Sequence, residues 1–265
     1  MTSNTSTALI TGRTSGIGRA TANKLAQLGI HAVVVGRSAE RGRKTIEEIR
    51  AAGGKADLIA SDLRDAASAR EVAKKAIELG NGHVDILINN AGMGLYEPAW
   101  NTPLADARRL FELNFFAPLA MTQLVAPHMR ARSSGTIVNV SSVAGKVTLP
   151  WLTLYSASKY ALVSLTDGLR MELKKAGIHT ITVCPGYVKT GFQDHALGGP
   201  PPRKISSGKQ FAITPEQCAE SIARGVERGA RTVMAPRSGW LFVLAERLFP
   251  SLVDAQLAAL IPHDV

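Results

Sequence analysis

The sequence predicts an α/β fold in which one parallel β-sheet is covered by helices on both faces. Short β-branched runs alternate with segments of helical periodicity, and the first run leads directly into a glycine-rich turn. The length of 265 residues also suits a single domain of this class. Because no internal repeat or linker divides the sequence, residues 1–265 are predicted to form one domain.

Seven runs rich in apolar and β-branched residues are the predicted strands. Such runs are typical of parallel strands, which are buried on both faces. They are residues 8–10, 32–35, 57–60, 84–88, 135–140, 180–184 and, more weakly, 231–234. Helical periodicity covers 16–28, 39–52, 66–79 and 155–176, and two further helices are expected within 103–130. Right-handed crossovers between successive strands then require a parallel sheet with helices on both sides.

Composition and charge exclude several classes of protein. Hydrophobic residues make up 45% and charged residues 20% of the chain, as in globular proteins rather than disordered chains or coiled coils. Two cysteines are too few for a disulfide scaffold, and no histidine spacing suggests a metal site. The net charge of +10 attracts anions, but the basic residues are scattered, which argues against nucleic acid. The polar start and the lack of a long apolar stretch predict a cytoplasmic enzyme.

The turn after the first strand has the composition of a phosphate-binding site. Glycine permits the sharp turn and the close approach of the backbone to a ligand, because it has no Cβ atom. The helix that begins here offers free N–H groups and a partial positive charge to a pyrophosphate. A glycine-rich turn without a ligand is the alternative, but the position after the first strand favours a dinucleotide. The predicted cofactor-binding residues of this turn are Gly12, Arg13, Ser15, Gly16, Ile17 and Gly18.

The end of the second strand predicts which dinucleotide binds. An acidic residue there would bind the ribose 2′-hydroxyl of NAD, whereas this sequence has Gly36, Arg37 and Ser38. The planar guanidinium of Arg37 suits a phosphate, and Arg13 and Arg41 are close enough in sequence to assist it. NADP(H) is therefore the preferred cofactor, with NAD(H) as the second choice. The alternative is that these arginines are ordinary surface charges.

Tyr155 and Lys159 are the candidate proton-transfer pair. Four residues apart at the start of a predicted helix, they share one face. A tyrosine with a pKa near 10 is a poor base at neutral pH, and a neighbouring ammonium is expected to lower that pKa. The alternative is a buried tyrosine beside a lysine that reaches the surface. Ser142 supports the catalytic interpretation, because it ends the fifth strand and ligands of such sheets bind beyond the carboxyl ends of the strands.

With these motifs in this order, the chain resembles the short-chain dehydrogenase/reductase family up to about Thr190. The resemblance implies a Rossmann-type, doubly wound sheet of seven parallel strands in the order 3-2-1-4-5-6-7. It also implies an NADP-dependent alcohol dehydrogenase or carbonyl reductase that forms a homo-oligomer, either a dimer or a tetramer. The matching motifs are the turn at 11–18, Asp62 with Leu63, residues 89–92, Asn114, Ser142, Tyr155 with Lys159, and Pro185 with Gly186 followed by Thr190.

The resemblance implies a role for each matching residue. Tyr155 would be the general acid for reduction and the base for oxidation, and Lys159 would lower its pKa and bind the nicotinamide ribose. Ser142 would bind the substrate oxygen, with Ser141 as the alternative, and Asn114 would hold a water molecule of the proton relay. The residues implied to contact other parts of the cofactor are Asp62 (with a helix N-cap as its alternative role), Leu63, Asn90, Ala91, Gly92, Pro185, Gly186, Val188 and Thr190.

Mostly apolar residues are expected around the substrate, which predicts a small hydrophobic ketone, aldehyde or alcohol. Residues 187–212, with glycines and prolines at their centre, are predicted to form a substrate lid. Residues 238–265 are predicted to be a helical extension, for which a subunit interface or a pocket cover is favoured over a membrane surface. The expected substrate residues are Met93, Leu95, Tyr96, Val143, Leu149, Trp151, Leu152, Tyr187 and Phe192.

A dinucleotide sensor or scaffold without catalytic activity is the alternative function, since a fold does not fix a function. The presence of Asn114, Ser142, Tyr155 and Lys159 together argues against it, because a pure binding protein needs no proton relay.

Overall fold

The computed structural model describes residues 6–12, 15–199 and 212–261. The strands of this part of the chain are β1 (Thr7–Thr11), β2 (His31–Gly36), β3 (Ala56–Ala60), β4 (Ile86–Asn89), β5 (Leu95–Tyr96), β6 (Gly135–Val140), β7 (Ile178–Pro185), β8 (Leu197–Gly198) and β9 (Thr232–Ala235). Seven of them form one sheet in the order β3-β2-β1-β4-β6-β7-β9, with every neighbouring pair parallel. Numbered along the predicted strands, this order is 3-2-1-4-5-6-7, so the predicted Rossmann-type fold is confirmed.

Helices cover both faces of this sheet. They are α1 (Gly16–Gln27), α2 (Ala39–Ala51), α3 (Ala66–Leu79), α4 (Leu104–Phe111), α5 (Ala117–Ala131), α6 (Thr153–Leu173), α7 (Pro215–Glu227), α8 (Gly239–Leu248) and α9 (Pro250–Ala258). A π-helix, Glu112–Phe116, joins α4 to α5. Helix α7 was not among the predicted helices, although Thr214 and Gln217 form a capping box at its start and Pro215 occupies its first turn.

The central strands bury alternate residues on opposite faces of the sheet. Ile10 and Val34 pack with α1, α2 and α7, whereas Leu9 and Val33 pack with α3, α5 and the end of α6. None of these four side chains is more than 1% exposed. Burial of each contributes about 1.5–3 kcal/mol, which explains why the strands lack the apolar–polar alternation of a sheet with one wet face.

A small second sheet lies beyond the carboxyl edge of the main one. Strands β5 and β8 pair in parallel, with Leu95 opposite Leu197 and Tyr96 opposite Gly198. A short 3₁₀-helix, Gln193–His195, precedes β8. The first half of the predicted lid is therefore tied to the body of the protein by backbone hydrogen bonds. Residues 200–211 of the predicted lid lie outside the described residues.

Helices α8 and α9 follow β9 and lie within the predicted extension at 238–265. Val243 of α8 is 2% exposed and packs on Cys184 of β7. Leu260, after α9, packs on the apolar cluster that contains Tyr155. Several large side chains of the tail remain exposed, including Leu241 and Leu252. Residues 262–265 of the predicted extension lie outside the described part.

Among the helices described, none is both long enough and apolar enough to cross a bilayer.

Candidate active site

A cavity of about 360 Å³ opens at the sheet edge where β4, β6 and β7 end. All seven strands of the main sheet run in the same direction, so the segments that follow them meet at this edge. Most of the predicted cofactor and catalytic residues line the cavity: Ser15, Gly16, Ile17, Gly18, Asn90, Gly92, Ser142, Tyr155, Lys159, Pro185, Gly186, Val188 and Thr190.

A second cavity, of about 180 Å³, adjoins the first. Both are lined by Ser15, Gly92 and Phe192, so together they form one elongated cleft across the start of α1. The second cavity brings together the remaining predicted cofactor residues of the described chain: Gly12, Arg37, Ser38, Asp62, Leu63 and Ala91, with Arg41 beside them. Arg13 lies outside the described residues.

At two glycines of the cleft, the backbone lies very close to neighbouring residues. Gly12 has φ +113, and a Cβ atom there would lie 2.6 Å from Asn90 Nδ2. Gly16 has φ +60, and a Cβ atom there would lie 2.8 Å from Thr190 Cγ2. Both conformations are strained for other residues, and both contacts are too close for a side chain. The packing of neighbouring residues therefore requires glycine at both positions.

The start of α1 suits an anion. Ser15 occupies the N-cap position with an extended backbone, and its side chain makes no capping hydrogen bond. The first amides of a helix have no partner within the helix, and the helix dipole favours negative charge there. Arg37 and Arg41 add positive charge to the adjoining cavity. These residues therefore fit a dinucleotide, whose pyrophosphate the start of α1 would hold.

Asp62 lines the second cavity and is fixed by a neighbour. The Arg64 guanidinium Nε lies 3.0 Å from each carboxylate oxygen of Asp62. This hydrogen bonding holds the pKa of Asp62 below its usual value, so the side chain is ionised at neutral pH. The N-cap of α3 is Asp65, which accepts from the amides of Ala67 and Ser68. The helix-cap alternative for Asp62 is therefore wrong.

Tyr155 and Ser142 are hydrogen-bonded side chain to side chain in the first cavity. Ser142 Oγ also accepts from the amide of Ala144 at 3.1 Å, which fixes it at the end of β6. Ser141 instead donates its hydroxyl to the carbonyl of Lys159 at 3.0 Å. Ser142, rather than the alternative Ser141, is therefore the serine that contacts the tyrosine.

Lys159 and Asn114 lie behind this pair. Lys159 is 3% exposed, and its Nζ donates to the carbonyl of Val140 at 3.0 Å and lies 5.8 Å from the centre of the Tyr155 ring. Asn114, in the π-helix, is fully buried; its amide bonds both backbone groups of Met93 at 2.9 and 3.0 Å. A Cβ atom on Gly92 would lie 3.2 Å from Asn114 Oδ1 and 3.4 Å from Lys159 Nζ. The four predicted catalytic residues thus form one group.

The expected lowering of the Tyr155 pKa is wrong. Burial raises the pKa of Tyr155 above its usual value, and the hydrogen bond with Ser142 offsets this only in part. Burial also lowers the pKa of Lys159 to about 8. The physical reason is that both groups lie away from water, which disfavours the phenolate and the ammonium alike. At neutral pH the phenol therefore holds its proton.

The predicted substrate residues divide into two groups. Val143, Leu149, Leu152, Tyr187 and Phe192 line the first cavity, as does Tyr96. The other three, Met93, Trp151 and Leu95, lie elsewhere. Met93 lines the second cavity, and Trp151 packs in the apolar cluster beside the site. Leu95 precedes Tyr96 in β5, and neighbouring residues of a strand face opposite sides, so only one of the two reaches the cavity.

The cavity also contains residues that sequence reasoning missed. Gln193, Asp194 and Lys189 line it, although they lie within the predicted lid. No motif marks them, because their position depends on how β8 pairs with β5. The described residues contain no group of three or more histidine, cysteine or acidic side chains that could hold a metal ion.

Comparisons with known proteins agree with this geometry. The sequence profile of the short chain dehydrogenase family matches residues 6–197. The ketoacyl reductase HetN of Nostoc sp. is 35% identical over 86% of this chain and 77% of its own length. A short-chain dehydrogenase/reductase from Burkholderia phymatum, solved with NAD, aligns with a TM-score of 0.85 at 27% identity, over 94% of this chain and 95% of that one. One from Sphingobium yanoikuyae, solved with NADPH, aligns with a TM-score of 0.79 at 26% identity, over 97% of both chains.

The chain belongs to the short-chain dehydrogenase/reductase family, as the resemblance in its motifs predicted. Members of this family are oxidoreductases that use a nicotinamide dinucleotide, and the elongated cleft of this protein fits such a cofactor.

Proposed function

We propose that the protein is an NADP(H)-dependent oxidoreductase that interconverts a hydrophobic ketone or aldehyde and its alcohol. The observation that carries this proposal is the group formed by Ser142, Tyr155 and Lys159 in one wall of a largely apolar cavity. A proton donor, a hydroxyl beside it and a buried lysine behind it are the parts that carbonyl reduction needs from a protein.

Each of these side chains has a separate task in the proposed reaction. Bound NADP(H) supplies or accepts the hydride. Tyr155 gives its phenol proton to the substrate oxygen during reduction, and its raised pKa keeps that proton in place until the oxygen becomes basic. Ser142 donates a hydrogen bond to the same oxygen and stabilises its developing charge. Lys159, whose Nζ lies 5.8 Å from the centre of the phenol ring, and Asn114 would supply the route by which the proton of Tyr155 is replaced.

The preference for NADP(H) rests on the second cavity. Arg37 and Arg41 line it together with the hydroxyl of Ser38. An arginine pair beside the adenosine half offers bidentate hydrogen bonds to a 2′-phosphate. Asp62, in the same cavity, is already paired with Arg64, so its negative charge is largely offset. Relatives solved with NAD and with NADPH show that both cofactors occur on this scaffold.

The test is turnover of a panel of hydrophobic ketones and alcohols, followed by NADPH absorbance, with the variant Tyr155→Phe. Loss of the proton donor is expected to lower kcat by at least about a hundredfold while NADPH affinity stays. Tyr160→Phe is the matched control, because Tyr160 lies on the same helix but is 38% exposed. Equal turnover of Tyr155→Phe and the native protein would refute the assignment. Tight NADPH binding without turnover of any compound would favour the sensor or scaffold function.

The cytoplasmic location, the homo-oligomer and the lid at 187–212 stay predictions.

A further inference from the structure

A second pair of polar side chains lines the cavity that contains Tyr155. Tyr96 of β5 and Gln193 of the 3₁₀-helix are hydrogen-bonded to each other, and both line this cavity. Apolar side chains form much of the wall beside them, including Leu149, Leu152 and Phe192. A polar pair in an apolar wall is a place where a ligand can be held in one orientation.

Tyr96 is buried on a strand whose backbone is held on both sides. The side chain is 4% exposed, and its strand pairs with β8 through the amide of Leu197, which donates to the carbonyl of Gly94 at 2.9 Å. On the other side of Tyr96, the amide of Glu97 donates to the carbonyl of Trp151 at 3.0 Å. Backbone bonds therefore fix the strand at both ends. A donor that is already fixed loses little entropy when it binds a ligand.

Tyr96 keeps its proton beside Gln193. The hydrogen bond between the two side chains lowers the pKa of the phenol. Burial has the larger and opposite effect and raises that pKa to about 12, so the phenol is neutral at physiological pH. Tyr96 is also close enough to Tyr155 to raise the pKa of Tyr155. Two neutral phenols thus share one cavity.

We propose that Tyr96 and Gln193 form a second oxygen-binding subsite, which selects ketones that carry another neutral oxygen group on an otherwise apolar chain. This proposal rests on the proposed function, since the first oxygen is the one held by Ser142 and Tyr155. The second group is an ester or amide carbonyl or a hydroxyl, each of which accepts from a phenol and bonds an amide side chain. Lys189 and Asp194, both exposed, bring one charge of each sign to the same cavity, so its rim does not favour an anion or a cation.

The experiment compares two substrates of the same chain length. Ethyl 3-oxohexanoate carries a second oxygen group, and 4-nonanone has methylene groups in its place. The ratio of kcat/KM for the oxo-ester to kcat/KM for the ketone is measured with NADPH for the native protein, Tyr96→Phe and Gln193→Leu. Dividing each variant's ratio by the native ratio removes the difference in chemical reactivity between the two compounds.

The ratio is expected to fall about tenfold in Tyr96→Phe, because one hydrogen bond to the second oxygen is lost. A smaller fall is expected in Gln193→Leu, which loses the bond that holds Tyr96. Tyr160→Phe, the control on α6, should keep the native ratio. If both variants lower the two kcat/KM values equally, Tyr96 and Gln193 are only structural and the subsite is refuted. If the native protein reduces neither compound nor any other ketone, the proposed function fails instead, and the two failures are distinguishable.

Discussion

The two halves of the cleft are built in different ways. Around the start of α1 the wall is mostly backbone: Gly12 and Gly16 approach their neighbours more closely than any side chain would permit, and β1 and β2 behind them are buried along their whole length. On the substrate side the wall consists of side chains, several of them on short elements. The two-residue strand β5 supplies Tyr96, and the three-residue helix Gln193–His195 supplies Gln193 and Asp194.

This difference has a physical cause and a functional consequence. Phosphates and ribose are common to all dinucleotides, so a rigid arrangement of backbone amides serves every reaction of this class. Substrates differ, and short elements that carry the specific contacts can change without disturbing the sheet. We therefore expect substitutions in the two halves to differ in kind: those near α1 should affect cofactor binding, and those near β5 and α9 should affect the choice of substrate.

The largest effect is expected for Gly16→Val. A Cβ atom at this position meets the Thr190 side chain, and the backbone has φ +60, so the valine should disturb the amides at the start of α1 that would hold the pyrophosphate. Losing one or two charge-assisted hydrogen bonds to the phosphate should weaken NADPH binding by about a hundredfold. The dissociation constant from NADPH fluorescence measures this.

Gly29→Val is the matched control for this change. Gly29 also has a left-handed backbone, φ +79, but a Cβ atom there has no neighbour within 4 Å. It should lose some stability and keep its NADPH affinity. Equal weakening of NADPH binding in both variants would mean that backbone strain, rather than the close approach to Thr190, sets the affinity.

Arg37→Asp is expected to change the preference between cofactors by about thirtyfold. The change removes a hydrogen-bonding cation from the second cavity and adds a carboxylate that repels a 2′-phosphate. The measurement is the ratio of the NADPH and NADH dissociation constants. Arg43→Asp changes the net charge equally but lies on the exposed part of α2, away from the residues that line this cavity. A native ratio in Arg37→Asp would show that the 2′-phosphate is bound elsewhere.

The cofactor half of the cleft could be predicted from the sequence better than the substrate half. The glycine-rich turn, the end of β2 and the pair Tyr155–Lys159 could be recognised because each is a local pattern on one strand or helix. Gln193 was missed because it reaches the cavity only through the pairing of β5 with β8. A pocket cover by the tail was one expectation, but no motif marks Leu260 as the residue that packs on the apolar cluster. The raised pKa of Tyr155 was missed for a related reason: spacing shows that a lysine is near, but not that both groups are buried.

A pH experiment tests the burial of Lys159. Its pKa is about 8 in the folded protein and 10.5 when exposed, so between these values the unfolded chain holds a proton that the folded chain has lost. The free energy of unfolding should therefore rise with pH in this window, by about 1 kcal/mol between pH 7 and pH 9. Urea denaturation of the native protein and of Lys159→Met at both pH values isolates this contribution. Identical pH dependence of the two proteins would mean that Lys159 is solvated.

The smallest effect is expected in the tail, which contributes to the substrate side by packing and contains no recognisable motif. Leu260 packs on the cluster that contains Leu152 and Tyr155, so Leu260→Ala should raise KM for a bulky apolar ketone about threefold by loosening that wall. Leu252→Ala makes the same truncation on a side chain that is 60% exposed and should leave KM at its native value. KM for 4-nonanone, measured at saturating NADPH, compares them. If Leu252→Ala raises KM as much as Leu260→Ala does, the exposed face of α9 is itself covered in the working enzyme, and the tail stabilises the cavity through an interface instead of through its own packing.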